Sequence, residues 1–194
     1  FSAESVRRAQ AAQTNGGFAD EIVPVTVKTR KGEVVVDSDE EPGKIDIGKI
    51  AGLRPAFSKD GVLTAASSSK ISDGAAATVM MSVEEAKRRG VQPLARIVAH
   101  STHAQAPEWF TTAPVKAIAN VLQKAGWTVA DVDLFEINEA FAPVAMAPMQ
   151  ELGIPHDKLN VHGGACALGH PIGASGARLV VTLLNALRRS GGKR

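Results

Sequence analysis

Tyrosine is absent from this sequence and cysteine occurs once. A single cysteine excludes an internal disulfide framework and suits a reducing compartment. Long apolar runs are missing too: none is extended or unbroken enough to span a bilayer. Residues 1–14 are charged and amphipathic, unlike a secretory signal. The first residue is Phe1 and not an initiator methionine, so the chain is expected to begin downstream of its gene's start. Neither sign of charge dominates, and the formal net charge is +2. The basic residues are scattered (Lys28, Arg30 and Lys31; residues 87–89; Arg188 and Arg189), and the acidic run 37–41 answers them. No stripe suited to nucleic acid results. At most, a few lysines could meet a phosphorylated small molecule.

What is present is the composition of a globular protein, 44% hydrophobic and 22% charged over 194 residues. That length is enough for one good core, or for one domain and part of another. Residues 3–14 read as a helix stopped by Asn15, Gly16 and Gly17. Residues 21–37 read as two strands joined at Lys31 and Gly32. From 37 to 61 no periodicity survives. Beyond it, strand and helix alternate: a strand at 75–82, then a capping box of Ser82 and Glu85 opening a helix that Gly90 stops. A strand at 94–100 precedes a helix opened by Pro114. A strand at 132–137 precedes a helix at 139–153, and Ser175 is placed to cap a helix running to 191. Such alternation indicates α/β architecture with a largely parallel sheet. Residues 140–149 are apolar on every face and 179–187 nearly so, which is the pattern of helices buried on all sides, sandwiched between sheets. The chain stops where the alternation calls for one more strand.

Two stretches fall at strand-to-helix junctions, where ligands gather in α/β sheets. One is "INEAF", with Asn138 and Glu139. The other is "GGACALGHPIGASG", with His170 between Gly169 and Pro171. Its glycines suit either a tight turn or close approach of a bulky ligand. They fit neither a Walker loop nor a dinucleotide fingerprint. His156, His162 and His170 lack metal-ligand spacing, so no metal is expected. His100 and His103 bracket a loop and read as solvated. His170, fixed by its neighbours, carries an imidazole suited to taking a proton from a thiol and returning it. Cys166 sits in turn chemistry without a helix N-terminus to stabilise a thiolate, and reads as an inert apolar filler.

Together these stretches resemble the thiolase family, the enzymes that make or cleave 3-ketoacyl-CoA. "NEAF" at 138–141 and "GGACALGHPIGASG" at 163–176 look like two of its motifs. "LRPAF" at 53–57 and "LTAASSSKISDGAAA" at 63–77 resemble the segments that meet the pantetheine arm of coenzyme A. The resemblance runs over essentially the whole chain. It implies the second half of a thiolase-like α/β fold stacked in five layers, α-β-α-β-α: the end of a loop domain at 1–71, the last elements of the first domain at 72–93, and the second domain at 94–194 without its final strands.

By position, the resemblance makes His170 the base and a donor to the thioester oxygen, and Asn138 the anchor of a water that completes the oxyanion hole. Ser69, Phe57, Ala140 and Phe141 would line the pantetheine tunnel, with Phe110 near the acyl pocket. Coenzyme A would be substrate and product, with no tightly bound cofactor. The nucleophilic cysteine would belong to a missing N-terminal half, and the complete protein would be a homodimer or homotetramer. The cytoplasm is the expected location, although mitochondrial and peroxisomal settings fit as well. The alternative reading is a catalytically incomplete half that serves only as a binding or interaction module. The chain departs from the family pattern at Ser67, Lys70 and Ser72, and at Pro42, where many members carry an arginine for the CoA nucleotide. Lys44 or Lys49 are its candidate replacements. "APEWFTTAP" at 106–114 departs too and leaves chain-length preference open.

Overall fold

A computed structural model describes all 194 residues. Helix α1 (Ser2–Thr14) buries Ser2, Ser5, Val6, Ala9 and Ala12, one face at helical spacing. On the outer face Glu4 pairs with Arg7 and Arg8. Strands β1 (Val25–Thr29) and β2 (Gly32–Val36) form the expected antiparallel hairpin, with Val25 opposite Val36. Every residue of both strands is exposed. Two single turns, α2 (Glu41–Lys44) and α3 (Ile47–Ile50), interrupt the excursion that follows.

Helix α4 (Val83–Arg89) begins and ends on its local signals. Ser82 Oγ accepts the Glu85 N–H, and Gly90 takes a left-handed φ of 64°. The reciprocal half of the capping box is not made, because Glu85 turns its carboxylate to Arg88 and Arg89. Helix α5 (Ala113–Ala125) opens with Pro114 and closes on Gly126. Helix α6 (Ala142–Leu152) follows the NEAF segment, and α7 (Ala165–Leu168) is a single turn inside the glycine-rich stretch. Helix α8 (Ile172–Ser190) starts earlier than its sequence suggests. Ser175 therefore lies within the first turn and is not its cap.

The principal core joins Val132, Phe135 and Ile137 to Val144 and Ala145 of α6 and to Ile154 and Leu159. A smaller cluster packs Val6 and Ala9 of α1 on Ala167 of α7. None of the segments 75–82, 94–100 and 132–137 belongs to a sheet. A strand is defined by its neighbours, and the first two find none within this chain, leaving Val79, Met80 and Ile97 exposed. The third makes one parallel bridge, Phe135 to Leu159. Nor are the two apolar helices covered on all sides, since Met146 in α6 and Ile172 and Val180 in α8 are exposed. The buried face of α8 is instead small and polar. Thr182 and Asn185 donate to the two carboxylate oxygens of Glu21, at 2.9 and 3.0 Å.

Candidate active site

The NEAF segment leaves the principal core at Ile137 and passes beside the loop that enters α8. There Asn138 Nδ2 stands 3.3 Å from His170 Nε2, and His170 Nδ1 stands 2.6 Å from Ser175 Oγ. Ser175 Oγ donates to the carbonyl of Pro171, 3.1 Å away, so its lone pairs are free to accept. That chain of bonds assigns the ring proton to Nδ1 and leaves the lone pair on Nε2, facing Asn138. Asn138 Oδ1 is buried without a protein partner. Such an atom is costly unless something binds it.

A second strip of backbone fixes this pair from the other side. The His170 N–H donates to the Lys70 carbonyl at 2.8 Å. One residue earlier, Ser69 reaches the Ala140 carbonyl with both its N–H, 3.0 Å, and its hydroxyl, 2.8 Å. Phe141 receives Phe57 and Phe110 edge-on, at centroid distances of 5.9 and 6.0 Å. Phe57 and Phe110 themselves remain largely open to solvent. The structure thus brings His170, Asn138, Ser69, Ala140, Phe141, Phe57 and Phe110 into one neighbourhood. The neighbourhood combines three aromatic rings, an imidazole and a strip of hydrogen-bonded backbone.

Lys70 reaches across to Glu41 and forms an ion pair. That pairing, with burial opposing it and Lys44 assisting, holds the Glu41 carboxyl below its ordinary range. Lys44 is engaged by Glu40 and Glu41, and Lys49 by Asp46, at 3.3 Å.

Cys166 lies in the first turn of α7, a position its turn-rich sequence did not suggest. It is nevertheless buried. Burial pushes its thiol well above the ordinary value, and the nearby Glu139 charge pushes the same way. His162 and His156 are both shifted down by burial. His156 stacks on Phe1 at 5.2 Å. His100 and His103 are exposed. No three His, Cys, Asp or Glu side chains converge as a metal site requires.

Four residues at this site carry more than their sequence suggests. Ser175 reads as a cap but holds the imidazole. Asn160, in a left-handed conformation (φ 47°), clamps the backbone at Ile137. Glu139, read only as a junction residue, is completely buried. Ser5, 134 positions away, bonds to Glu139. A run such as "LNVHGG" hints at a turn near Asn160. Nothing local announces Ser5.

Comparison with known proteins gives this arrangement its context. Residues 1–84 match the family described as "Thiolase, N-terminal domain", and residues 91–194 match "Thiolase, C-terminal domain". The acetyl-CoA acetyltransferase of Yarrowia lipolytica is 53% identical over 188 residues, 97% of this chain and 47% of that protein. The acetyl-CoA acetyltransferase of Rhizobium meliloti is 52% identical over 192 residues, 98% of this chain and 49% of that protein. The chain therefore spans about half the length of the curated relatives it matches. The crystal structure of the Bacillus anthracis acetyl-CoA acetyltransferase superposes with a TM-score of 0.94 at 46% identity, over 98% of this chain and 49% of that one. Human mitochondrial 3-ketoacyl-CoA thiolase gives 0.89 at 38%, with the same two coverages. The fold is the thiolase fold, and the chain belongs to the thiolase family.

Proposed function

We propose that this chain supplies the base, part of the oxyanion site and part of the coenzyme A site of an acyl-CoA C-acyltransferase. The enzyme would make or cleave 3-ketoacyl-CoA through an acyl-cysteine. The observation that carries this reading is the chain Asn138–His170–Ser175, whose bonds leave the lone pair of the imidazole on Nε2, beside Asn138.

In thiolysis, Nε2 takes the proton of a cysteine thiol, whose sulfur attacks the 3-keto carbonyl. The protonated Nε2 then donates to the oxygen that gains negative charge. The buried, unpartnered Asn138 Oδ1 suits a water that donates its second hydrogen to the same oxygen. Collapse breaks the carbon–carbon bond, and the departing acetyl-CoA enolate takes the proton held on Nε2, leaving the acyl-cysteine. The thiol of a second coenzyme A then gives its proton to Nε2, attacks the thioester and releases acyl-CoA, and the cysteine thiolate that leaves takes that proton back. The nucleophile is not Cys166, whose buried thiol resists ionisation, and the chain has no other cysteine. It must come from a thiolase N-terminal half, as in a homodimer or homotetramer of the complete protein. That same lack favours the second reading, in which this half binds a partner and performs no chemistry alone. Phe57, Phe110 and Phe141 suit the pantetheine arm and acyl chain. The setting we assign is the cytoplasm.

The test joins this chain to a thiolase N-terminal half and follows thiolysis of acetoacetyl-CoA and of longer 3-ketoacyl-CoA substrates. We expect turnover that His170→Ala lowers by about two to four orders of magnitude. No turnover on any chain length, from a folded enzyme, overturns the proposal.

A further inference from the structure

Glu139 has no exposed surface, yet it bears a carboxyl group in a region built of alanine, glycine and valine. All its polar partners are donors. Ser5 Oγ donates to Oε2 at 2.7 Å, the Cys166 N–H donates to Oε2 at 3.1 Å, and Asn160 Nδ2 donates to Oε1 at 2.8 Å. These three come from α1, α7 and the turn before the glycine-rich loop. Their own alternatives are closed. Ser5 Oγ already accepts the Gly164 N–H at 2.9 Å, so its single proton is committed to Glu139. Asn160 cannot flip, because its Oδ1 accepts the Ile137 N–H at 2.8 Å while its Nδ2 also donates to the Ile137 carbonyl at 2.9 Å.

Those bonds bracket Asn138 on both sides, through the backbone of Ile137 before it and the side chain of Glu139 after it. They also hold Cys166, four residues ahead of His170. The Asn138–His170 pair, 3.3 Å apart, thus adjoins a hub that is itself completely buried. We propose that Glu139 is a positioning residue, with Ser5 and Asn160 as its fixtures, that sets the spacing of the Asn138–His170 pair. This role rests on the acyltransferase reading of the same site and deepens it. Helix α1, from the region that matches the N-terminal family domain, thereby reaches into the geometry of the oxyanion site.

Glutamine is the discriminating substitution, since it keeps the size and loses one acceptor. Whichever way its amide turns, an NH2 group faces either Asn160 Nδ2 or the Cys166 N–H, and that peptide N–H cannot rotate away. In the enzyme assembled with a thiolase N-terminal half, Glu139→Gln is expected to lower kcat by about 100-fold, the effect of a misplacement near 1 Å. KM should stay within about threefold, because the spacing that Glu139 maintains serves the transition state and not the bound substrate. The decisive measurement is the double variant Asn138→Ala, Glu139→Gln. If Glu139 acts through Asn138, the double variant turns over within about twofold of Asn138→Ala alone, whereas independent effects multiply. Ser5→Ala, which removes one donor, should give a smaller kcat loss that also vanishes in the Asn138→Ala background. It serves as the test if Glu139→Gln does not fold. Losses that multiply, or a Glu139→Gln kcat within threefold of the parent, overturn the inference while leaving the proposed function standing. An inactive parent overturns both.

Discussion

His170 and Cys166 show how the surroundings decide what a residue type can do. The imidazole has a serine on one nitrogen and Asn138 on the other. The thiol is buried beside the Glu139 carboxyl. Incubating the assembled enzyme with an acyl-CoA and mapping the acylated peptide should place the acyl group on a cysteine outside this chain, and an acyl group on Cys166 would reverse the assignment. Glu136 offers a different test. Burial raises its carboxyl to about 8 despite Arg178, and Glu139 and Glu21 push the same way. Arg178 stands 3.8 Å away. A folded-state pKa above the ordinary 4.5 means that the folded chain keeps a proton the unfolded chain gives up. That contribution is complete below 4.5 and is lost as pH rises toward 8. Denaturation midpoints measured from about pH 5 to about pH 8 should therefore fall less steeply for Glu136→Gln than for the parent. Parallel slopes would show that Glu136 is ionised throughout.

At the scale of elements, what the sequence reveals is what is local. Ser82 and Gly90 delimit α4, and Pro114 and Gly126 delimit α5, because capping needs only neighbours along the chain. The NEAF and GHP segments are legible as a site for a related reason, since glycine and proline leave His170 little choice of direction. Strands are less legible, because their hydrogen bonds go to segments far away or outside the chain. The hub around Glu139 is invisible at this level, since Ser5 and Asn160 look like ordinary polar residues. The glycines beside it record its presence. A Cβ on Gly164 would lie 2.5 Å from Glu139 Oε1, and one on Gly163, which has φ 76°, would lie 2.8 Å from the Ala9 Cβ. Gly164→Ala should therefore destabilise the protein by about 1–3 kcal/mol, the usual cost of overpacking, read as a drop in denaturant midpoint. A neutral outcome would mean that α7 can move away from the NEAF segment freely.

The whole molecule is open. A compact monomer of its mass, 20.2 kDa, exposes roughly 8,800 Å². This chain exposes 12417 Å² and buries only 30 of its 194 residues. Much of the excess is apolar: Val79, Met80, Leu94 and Ile97 are exposed in segments that belong to no sheet. Apolar surface costs about 25 cal/mol per Å² when left in water, and folded proteins have margins of only about 5–15 kcal/mol. Expressed alone, the 194-residue chain should bind a hydrophobic dye or aggregate, and it should give no thiolysis. Adding a thiolase N-terminal half in trans should suppress the dye signal. A chain that stays monomeric, melts cooperatively and binds no dye would show that these segments pack in a way the structure does not contain.

The hairpin of β1 and β2 stands away from all of this, paired only with itself. Its tip carries Arg30 and Lys31, both exposed, at the turn between two five-residue strands. To a protease the molecule therefore offers exposed basic peptide bonds at a point where little of the fold depends on continuity. Helix α1, upstream of that cut, is pinned by Ser5 on Glu139 and by Arg8 on the carbonyls of His156 and Leu159. Trypsin in limiting amounts should thus nick the assembled enzyme first at residues 30–31, and the piece ahead of the nick should remain bound, so that the cleaved protein elutes as one species and keeps its turnover.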